Sequence, residues 1–181
     1  MTLIEKSFLV APSKASSDMY LDESKVDKSL FYQGDILLDF NFPKVSLISG
    51  AYTMSQKREN VILLSQTCDL QTGREGNDRV ILCPIHTESQ LRRLYLNKGI
   101  SEDSIKGRIG SLMGNKKIGM FYLPKNSHFE NSFANFGRMM SLEMKTLDNL
   151  QPDVRLEDSA RHFLTDKIQA FLCRAIDPTR P

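Results

Sequence analysis

A short polar stretch in the middle of the chain contains the strongest candidate for a nucleophile. It reads Ser65-Gln66-Thr67-Cys68-Asp69-Leu70 and follows a continuous apolar run, and His86 follows the next apolar run. A cysteine attacks as its thiolate, so it needs a basic partner, and His86 is the candidate base. The alternative, which we favour, is structural: Cys68 packs as a small apolar residue, while Thr67 or Asp69 accepts hydrogen bonds from turn amides.

The sequence shows neither the ligand spacing of a structural zinc site nor the pattern of a phosphate-binding loop. The candidate metal ligands are widely scattered along the chain: Cys68, Cys83, His86, His128 and His162. Structural zinc sites instead repeat their ligands in closely spaced pairs. The glycines of Gly73-Arg74-Glu75-Gly76 are not followed by Lys-Ser or Lys-Thr, as a P-loop requires. We therefore predict neither a metal nor a cofactor.

Positive charge is concentrated in one segment of the chain. Residues 88–125 contain eight basic and three acidic residues, although the whole chain has a net charge of only +2. Tyr95, Phe121 and Tyr122 are interleaved with the basic residues, which would suit backbone contacts and base stacking on single-stranded nucleic acid. The candidate residues for binding DNA or RNA are Arg92, Arg93, Lys98, Lys116 and Lys117. The alternative is a solvated helix face with a lysine-rich loop.

The elements that must position these residues follow from the apolar pattern. Strands are predicted over 33–42, ending at Pro43, and over 60–65, 79–85 and 117–124, with one or two more between 133 and 147. Residues 44–60 are predicted to be a polar connection. The run Val61-Ile62-Leu63-Leu64 does not alternate, so we expect both of its faces to be buried.

Helical spacing appears twice. It predicts one or two helices in a basic insertion over 88–115 and a C-terminal helix over 156–175. With 181 residues, the chain is expected to form one domain over 31–181 preceded by an irregular N-terminal segment, 1–30. The predicted fold is mainly β with helices, a small barrel carrying the insertion and the C-terminal helix.

Three of the strands resemble the opening of the MazF/PemK-like family. The similarity is carried by Gly34-Asp35-Ile36, by the strand ending at Ser65, and by the strand ending Pro84-Ile85, and it covers about residues 33–87. The resemblance implies an SH3-like β-barrel. It also implies metal-independent cleavage of single-stranded RNA, because toxins of this family have that activity.

The residues that would perform this reaction are present with displacements. Family toxins have an arginine before the second strand and a threonine after the third. Here Arg58 lies one position early, with Glu59 where the arginine would fall, and His86 precedes Thr87. In a ribonuclease Arg58 would stabilise the phosphate and His86 would transfer a proton. A misplaced arginine loses much of its effect.

The resemblance with displaced catalytic positions favours a non-catalytic subunit. We expect it to bridge proteins in a bacterial defence or toxin–antitoxin-related complex, between an SMC- or ABC-type ATPase and an effector, with a contact to nucleic acid as a further expectation. A MazF-type endoribonuclease and a cysteine-dependent hydrolase are the alternatives.

The sequence predicts a cytoplasmic protein. No apolar stretch approaches the roughly 18 residues of a membrane span, and the N-terminus has an acid where a signal peptide has basic residues. The three cysteines, Cys68, Cys83 and Cys173, form no CxxC pair and are expected to be reduced.

Overall fold

A computed structural model describes residues 19–48, 50–70 and 78–173. Within these ranges the fold is mixed α/β. The strands are β1 (Asp35–Ile48), β2 (Ala51–Leu63), β3 (Arg79–Thr87), β4 (Met120–Leu123), β5 (Ser132–Asn135), β6 (Met140–Glu143) and β7 (Val154–Arg155), and the α-helices are α1 (Glu88–Asn97), α2 (Glu102–Met113) and α3 (Asp158–Leu172). Most of the predicted N-terminal segment, the Gly73-Arg74-Glu75-Gly76 stretch and the last residues of the predicted C-terminal helix lie outside the described residues.

The seven strands form one antiparallel sheet in the order β4-β5-β3-β2-β1-β7, with β6 also paired to β3. The prediction of three adjacent antiparallel strands between residues 33 and 87 is confirmed. So is the prediction for Val61 to Leu64, whose side chains are at most 4% exposed. Ile62 and Leu64 join a core on one face of the sheet, while Val61 and Leu63 join a core on the other.

The prediction that residues 44–60 form a polar connection is wrong. β1 continues through Pro43 to Ile48, and β2 returns from Ala51, so these residues form a long hairpin with Pro43 opposite Gln56. β7 pairs with β1 only at Asp35 and Ile36. In the described chain Pro43 therefore lies in an edge stretch of β1, where a residue without an N–H is tolerated.

β5 and β6 pair with the same side of β3, one after the other. β6 pairs with Arg79–Leu82 and β5 pairs with Ile85–Thr87. Between them the chain leaves the ladder in a short 3-10 helix, Phe136–Arg138. This interruption lifts Arg138 out of the ladder, and Arg138 reaches across β3.

The helical insertion and the C-terminal helix are both present. α1 and α2 pack Leu91, Ile105, Ile109 and Leu112 around Phe133, while α3 packs Ala160 and Leu164 against Ile62 and Ile85. In the part of the chain that the structure describes, no helix is both long and apolar enough to cross a membrane. The pairings do not join β4 to β7, so an SH3-like closure of the sheet stays a prediction.

A buried ion pair joins β1 and β7, which are neighbours at one edge of the sheet. The Arg155 guanidinium donates from Nε and Nη2 to the two carboxylate oxygens of Asp35, at 2.6 and 2.8 Å, and also donates to the Leu30 carbonyl at 2.7 Å. The ring of Tyr32 lies 4.1 Å from the guanidinium. Asp35 of the Gly34-Asp35-Ile36 motif is therefore a structural residue that holds β1, β7 and the preceding segment together.

Candidate functional site

The candidate site is a polar cluster on β2 and β3, just beyond Val61 and Pro84, the last pair between these two strands. Val61 pairs with Pro84 in the ladder between these strands, so two residues further out Glu59 lies opposite His86. Side chains directly opposite each other in antiparallel strands point to the same face. The Glu59 side chain is only 6% exposed and accepts a bond from Lys57 Nζ at 2.7 Å.

Arg138 joins these two side chains. Its Nη1 lies 2.7 Å from His86 Nε2, and its Nη2 lies 3.6 Å from a carboxylate oxygen of Glu59. The guanidinium comes from the 3-10 helix between β5 and β6, and it therefore spans β3 to reach β2. The cluster combines one carboxylate, one imidazole and two cations from three different strands or turns.

The protonation of His86 follows from its contacts. Burial and the neighbouring Arg138 guanidinium lower the pKa of His86 below its ordinary value. A guanidinium can only donate hydrogen bonds, so Nε2 of His86 accepts from Arg138 and the ring carries its proton on Nδ1. Near neutral pH His86 is therefore an uncharged imidazole.

The cluster borders an open groove of about 610 Å³ between the foot of the hairpin and the β5–β6 interruption. Lys57, Glu59 and Arg138 line it, together with the apolar side chains of Phe42 and Met140. We call this the polar groove. Its two cations could hold an anion such as a phosphate, and His86 could accept a proton if Arg138 moved away from Nε2.

Two of the three residues predicted from the family resemblance, Arg58 and Thr87, lie elsewhere. Arg58 follows Lys57 and precedes Glu59 in β2, so its side chain points to the opposite face of the strand. There it is largely exposed and forms an ion pair with Asp39 at 2.9 Å. Thr87 is the N-cap of α1, where its hydroxyl accepts from the Gln90 amide at 3.2 Å. Of the predicted set Arg58, His86 and Thr87, His86 is the one that joins the cluster beside the polar groove, through its contact with Arg138.

Cys68 and His86 are not brought together. Cys68 lies in a 3-10 turn, Thr67–Asp69, after β2, and Ser65 just before that turn accepts from the Ile81 amide at 2.8 Å. His86 lies five residues further along β3, which corresponds to roughly 17 Å of strand. The Cys68 thiol is exposed and lies 3.7 Å from the side-chain oxygens of Gln66 and Asp69.

The predicted basic residues are spread over the helical insertion. Arg92 is engaged by two acids, Glu88 at 2.9 Å and Glu102 at 3.7 Å. Arg93 and Lys98 are exposed on and after α1, and Lys116 and Lys117 are exposed after α2. Tyr95 is half-buried with Arg108 5.7 Å from its ring, and Phe121 is a core residue.

A second feature is the projecting part of the long hairpin, residues 43–48 and 50–56, which we call the outer hairpin. Its cross-strand pairs Val45–Met54 and Leu47–Tyr52 share one face. These side chains are between 50% and 80% exposed. Lys44, Ser46, Thr53 and Ser55 occupy the other face. The sequence from Val45 to Gln56 contains no charged residue.

No protein-family model and no curated protein matches this chain. The functional assignment therefore depends on the arrangement of its own residues.

Sequence reasoning missed Glu59, Lys57 and Arg138. In the family pattern, Glu59 occupies the position where an arginine would fall, so the resemblance gives it no role. Arg138 lies 52 residues after His86, and no local spacing links the two. Within the described residues no three histidine, cysteine or acidic side chains are grouped as metal ligands would be.

Proposed function

We propose that this protein is a docking subunit of a bacterial defence or toxin–antitoxin-related complex, built on a sheet of the MazF/PemK-like type. The observation that carries this proposal is the outer hairpin, which holds a large apolar face in solvent. Exposed apolar patches of this kind on soluble proteins mark interaction sites. A two-stranded ribbon is also marginally stable alone and gains stability from a covering partner.

The same proposal explains why two residues that a ribonuclease would use for catalysis are held in structural contacts instead. Arg58 is paired with Asp39 and Thr87 caps a helix, so neither is directed at a common substrate position. The partners in the proposed complex are an SMC- or ABC-type ATPase and an effector. This part of the proposal derives from the family resemblance alone.

The proposal is tested by asking whether the chain assembles into a complex. The full chain is co-expressed with the proteins encoded beside its gene, and complexes are isolated and sized. We expect a stoichiometric complex, and no arrest of growth when the chain is expressed alone. A chain that stops growth alone and binds none of its neighbours would contradict the proposal.

The polar groove favours a second candidate function, metal-independent cleavage of RNA. Such a reaction needs a base for the 2′-hydroxyl, a cation on the phosphate and an acid for the leaving oxygen. Neutral His86 could serve as the base and Arg138 as the cation. The cluster does not supply the acid. The neutral His86 imidazole has no proton on Nε2 to donate, and Glu59 accepts a hydrogen bond from Lys57. The incomplete set is why docking remains the leading proposal.

One assay separates the two functions. Pure protein is incubated with a long single-stranded RNA in the presence of a chelator, beside the variants His86→Asn and Arg138→Gln. Arg58→Ala is the matched control, since Arg58 lies on the opposite face of β2. We expect no cleavage by any of them. Selective cuts that persist in Arg58→Ala and vanish in the other two variants would establish the ribonuclease.

A further inference from the structure

The apolar face of the outer hairpin continues into a cleft at the foot of the hairpin. Pro43 and Gln56 are the next cross-strand pair below Val45 and Met54, and both also line a cleft of about 820 Å³ at the foot of the hairpin. The apolar face and the cleft therefore form one continuous surface, which we call the docking surface.

The cleft end of this surface is acidic. Its lining includes the carboxylates of Asp39, Asp148 and Asp153 and one cation, Arg58. Arg58 is already paired with Asp39. The remaining two carboxylates give this end of the docking surface a net negative charge.

We propose that the docking surface binds a partner protein through an apolar segment that ends in lysine or arginine side chains. The apolar residues of this segment cover Val45, Leu47, Tyr52 and Met54, and its cations enter the cleft beside Asp148 and Asp153. The inference rests on the proposed function, because it specifies the chemistry of the partner that the docking subunit recognises.

Other classes of occupant fit the surface less well. A nucleic acid or an anionic membrane would bring phosphates towards the acidic cleft, and the apolar face has no cation to attract them. Lys44 does not help, because it lies on the opposite face with Ser55. A two-fold pairing with a second copy would leave the carboxylates of both clefts without a basic counterpart.

Tyr52 is expected to dominate the contact. It is 80% exposed at one end of the apolar face, and tyrosine is enriched among residues that carry most of the binding free energy of an interface. Between Val45 and Gln56 the hairpin also lacks the charged residues that usually prevent unwanted strand pairing. Both properties are expected of a surface that is covered in the assembled protein.

The experiment uses the full chain and the neighbouring protein with which it forms a complex, with affinity measured by calorimetry at low and at physiological salt. The apolar face is altered in Leu47→Ser/Tyr52→Ser, and its matched control is Ser46→Ala/Thr53→Ser on the other face. We expect the first variant to bind roughly 10- to 100-fold more weakly and the control to bind like the wild type. Unchanged melting temperatures show that each variant is folded.

Charge is tested separately. Asp148→Asn should weaken binding roughly 3- to 10-fold and flatten the salt dependence, because it removes an attraction to the partner's cations. Its control is Asp103→Asn, at an exposed position on α2. Equal effects of Asp148→Asn and Asp103→Asn would overturn the acidic part of the inference.

The outcomes are distinguishable. A wild-type chain that binds none of its neighbours contradicts the proposed function and the inference together. If the wild type binds a neighbouring protein and Leu47→Ser/Tyr52→Ser binds that protein equally well, the inference alone is contradicted. It is also overturned if that variant abolishes RNA binding, or if it converts a wild-type dimer to a monomer in sizing experiments over a range of concentrations.

Discussion

Lys167 gives the sharpest prediction about stability, because it is a buried cation held by uncharged oxygens. The residue is 2% exposed and lies on α3. Its Nζ donates to the carbonyl oxygens of Asn115 and Lys117, at 2.9 and 3.0 Å, and to the Asn115 side chain at 3.3 Å. These bonds attach the end of α2 to α3. Burial lowers the pKa of Lys167 from 10.5 to about 8.

The lowered pKa makes the free energy of unfolding depend on pH. Between pH 8 and 10.5 the unfolded chain binds more protons at this position, so stability rises with pH there. The full difference between the two pKa values corresponds to about 3 kcal/mol, of which about 1 kcal/mol should appear between pH 7 and 9. Lys167→Met also removes three donated bonds, but that cost does not change with pH.

The assay is urea unfolding of the wild type and Lys167→Met at pH 7, 8, 9 and 10. The stability of the wild type relative to the variant should increase by about 2.5 kcal/mol from pH 7 to pH 10. Lys106→Met, at an exposed position on α2, is the control and should follow the wild type. Parallel curves for the wild type and Lys167→Met would refute the reasoning.

Three further predictions concern His86, Asp35 and Gly34. The lowered pKa of His86 means that its contribution to stability is present above about pH 6.5 and is lost as pH falls through the folded-state pKa. In urea titrations, the free energy of unfolding should fall more steeply with decreasing pH for the wild type than for His86→Gln. Equal falls for the two proteins would contradict this. Asp35→Ala leaves the Arg155 charge buried without its partner, so unfolding free energy should fall by about 3–5 kcal/mol; a loss below about 1 kcal/mol would show that the pair contributes little. Gly34→Ala should lower the melting temperature, because φ is +88° and a Cβ would lie 3.1 Å from Leu156 and Arg161. Gly110→Ala, in open space on α2, should raise it, and a similar change in both would refute the steric argument.

The parts of the fold predicted from sequence are those with strong apolar patterns. A run of four apolar residues such as Val61 to Leu64 must be buried on both faces of its strand, and it is. The helical spacing in 88–113 predicts helices that bury one apolar face, and the structure has them. The outer hairpin carries a weaker signal, which the prediction of a polar connection over 44–60 left out. Val45-Ser46-Leu47 and Tyr52-Thr53-Met54-Ser55 alternate on either side of Gly50, whose φ is +82°. Alternation around such a turn is typical of a hairpin, but the many small polar residues suggested a loop.

The candidate site was less predictable, for a geometric reason. The resemblance directs attention to Arg58, His86 and Thr87, and His86 does belong to the cluster, but the β2 residue that reaches it is Glu59, the neighbour of Arg58. Successive side chains of a strand point to opposite faces, so a displacement of one residue exchanges the predicted arginine for a carboxylate. Arg138 could not be identified in advance, because its position depends on an interruption between β5 and β6 that only the paired structure reveals.

The same alternation explains how one hairpin contributes to two surfaces. Lys57 and Glu59 point to the polar groove, whereas Met54, Gln56 and Arg58 point to the docking surface. The two surfaces therefore share a backbone but no side chain of β2.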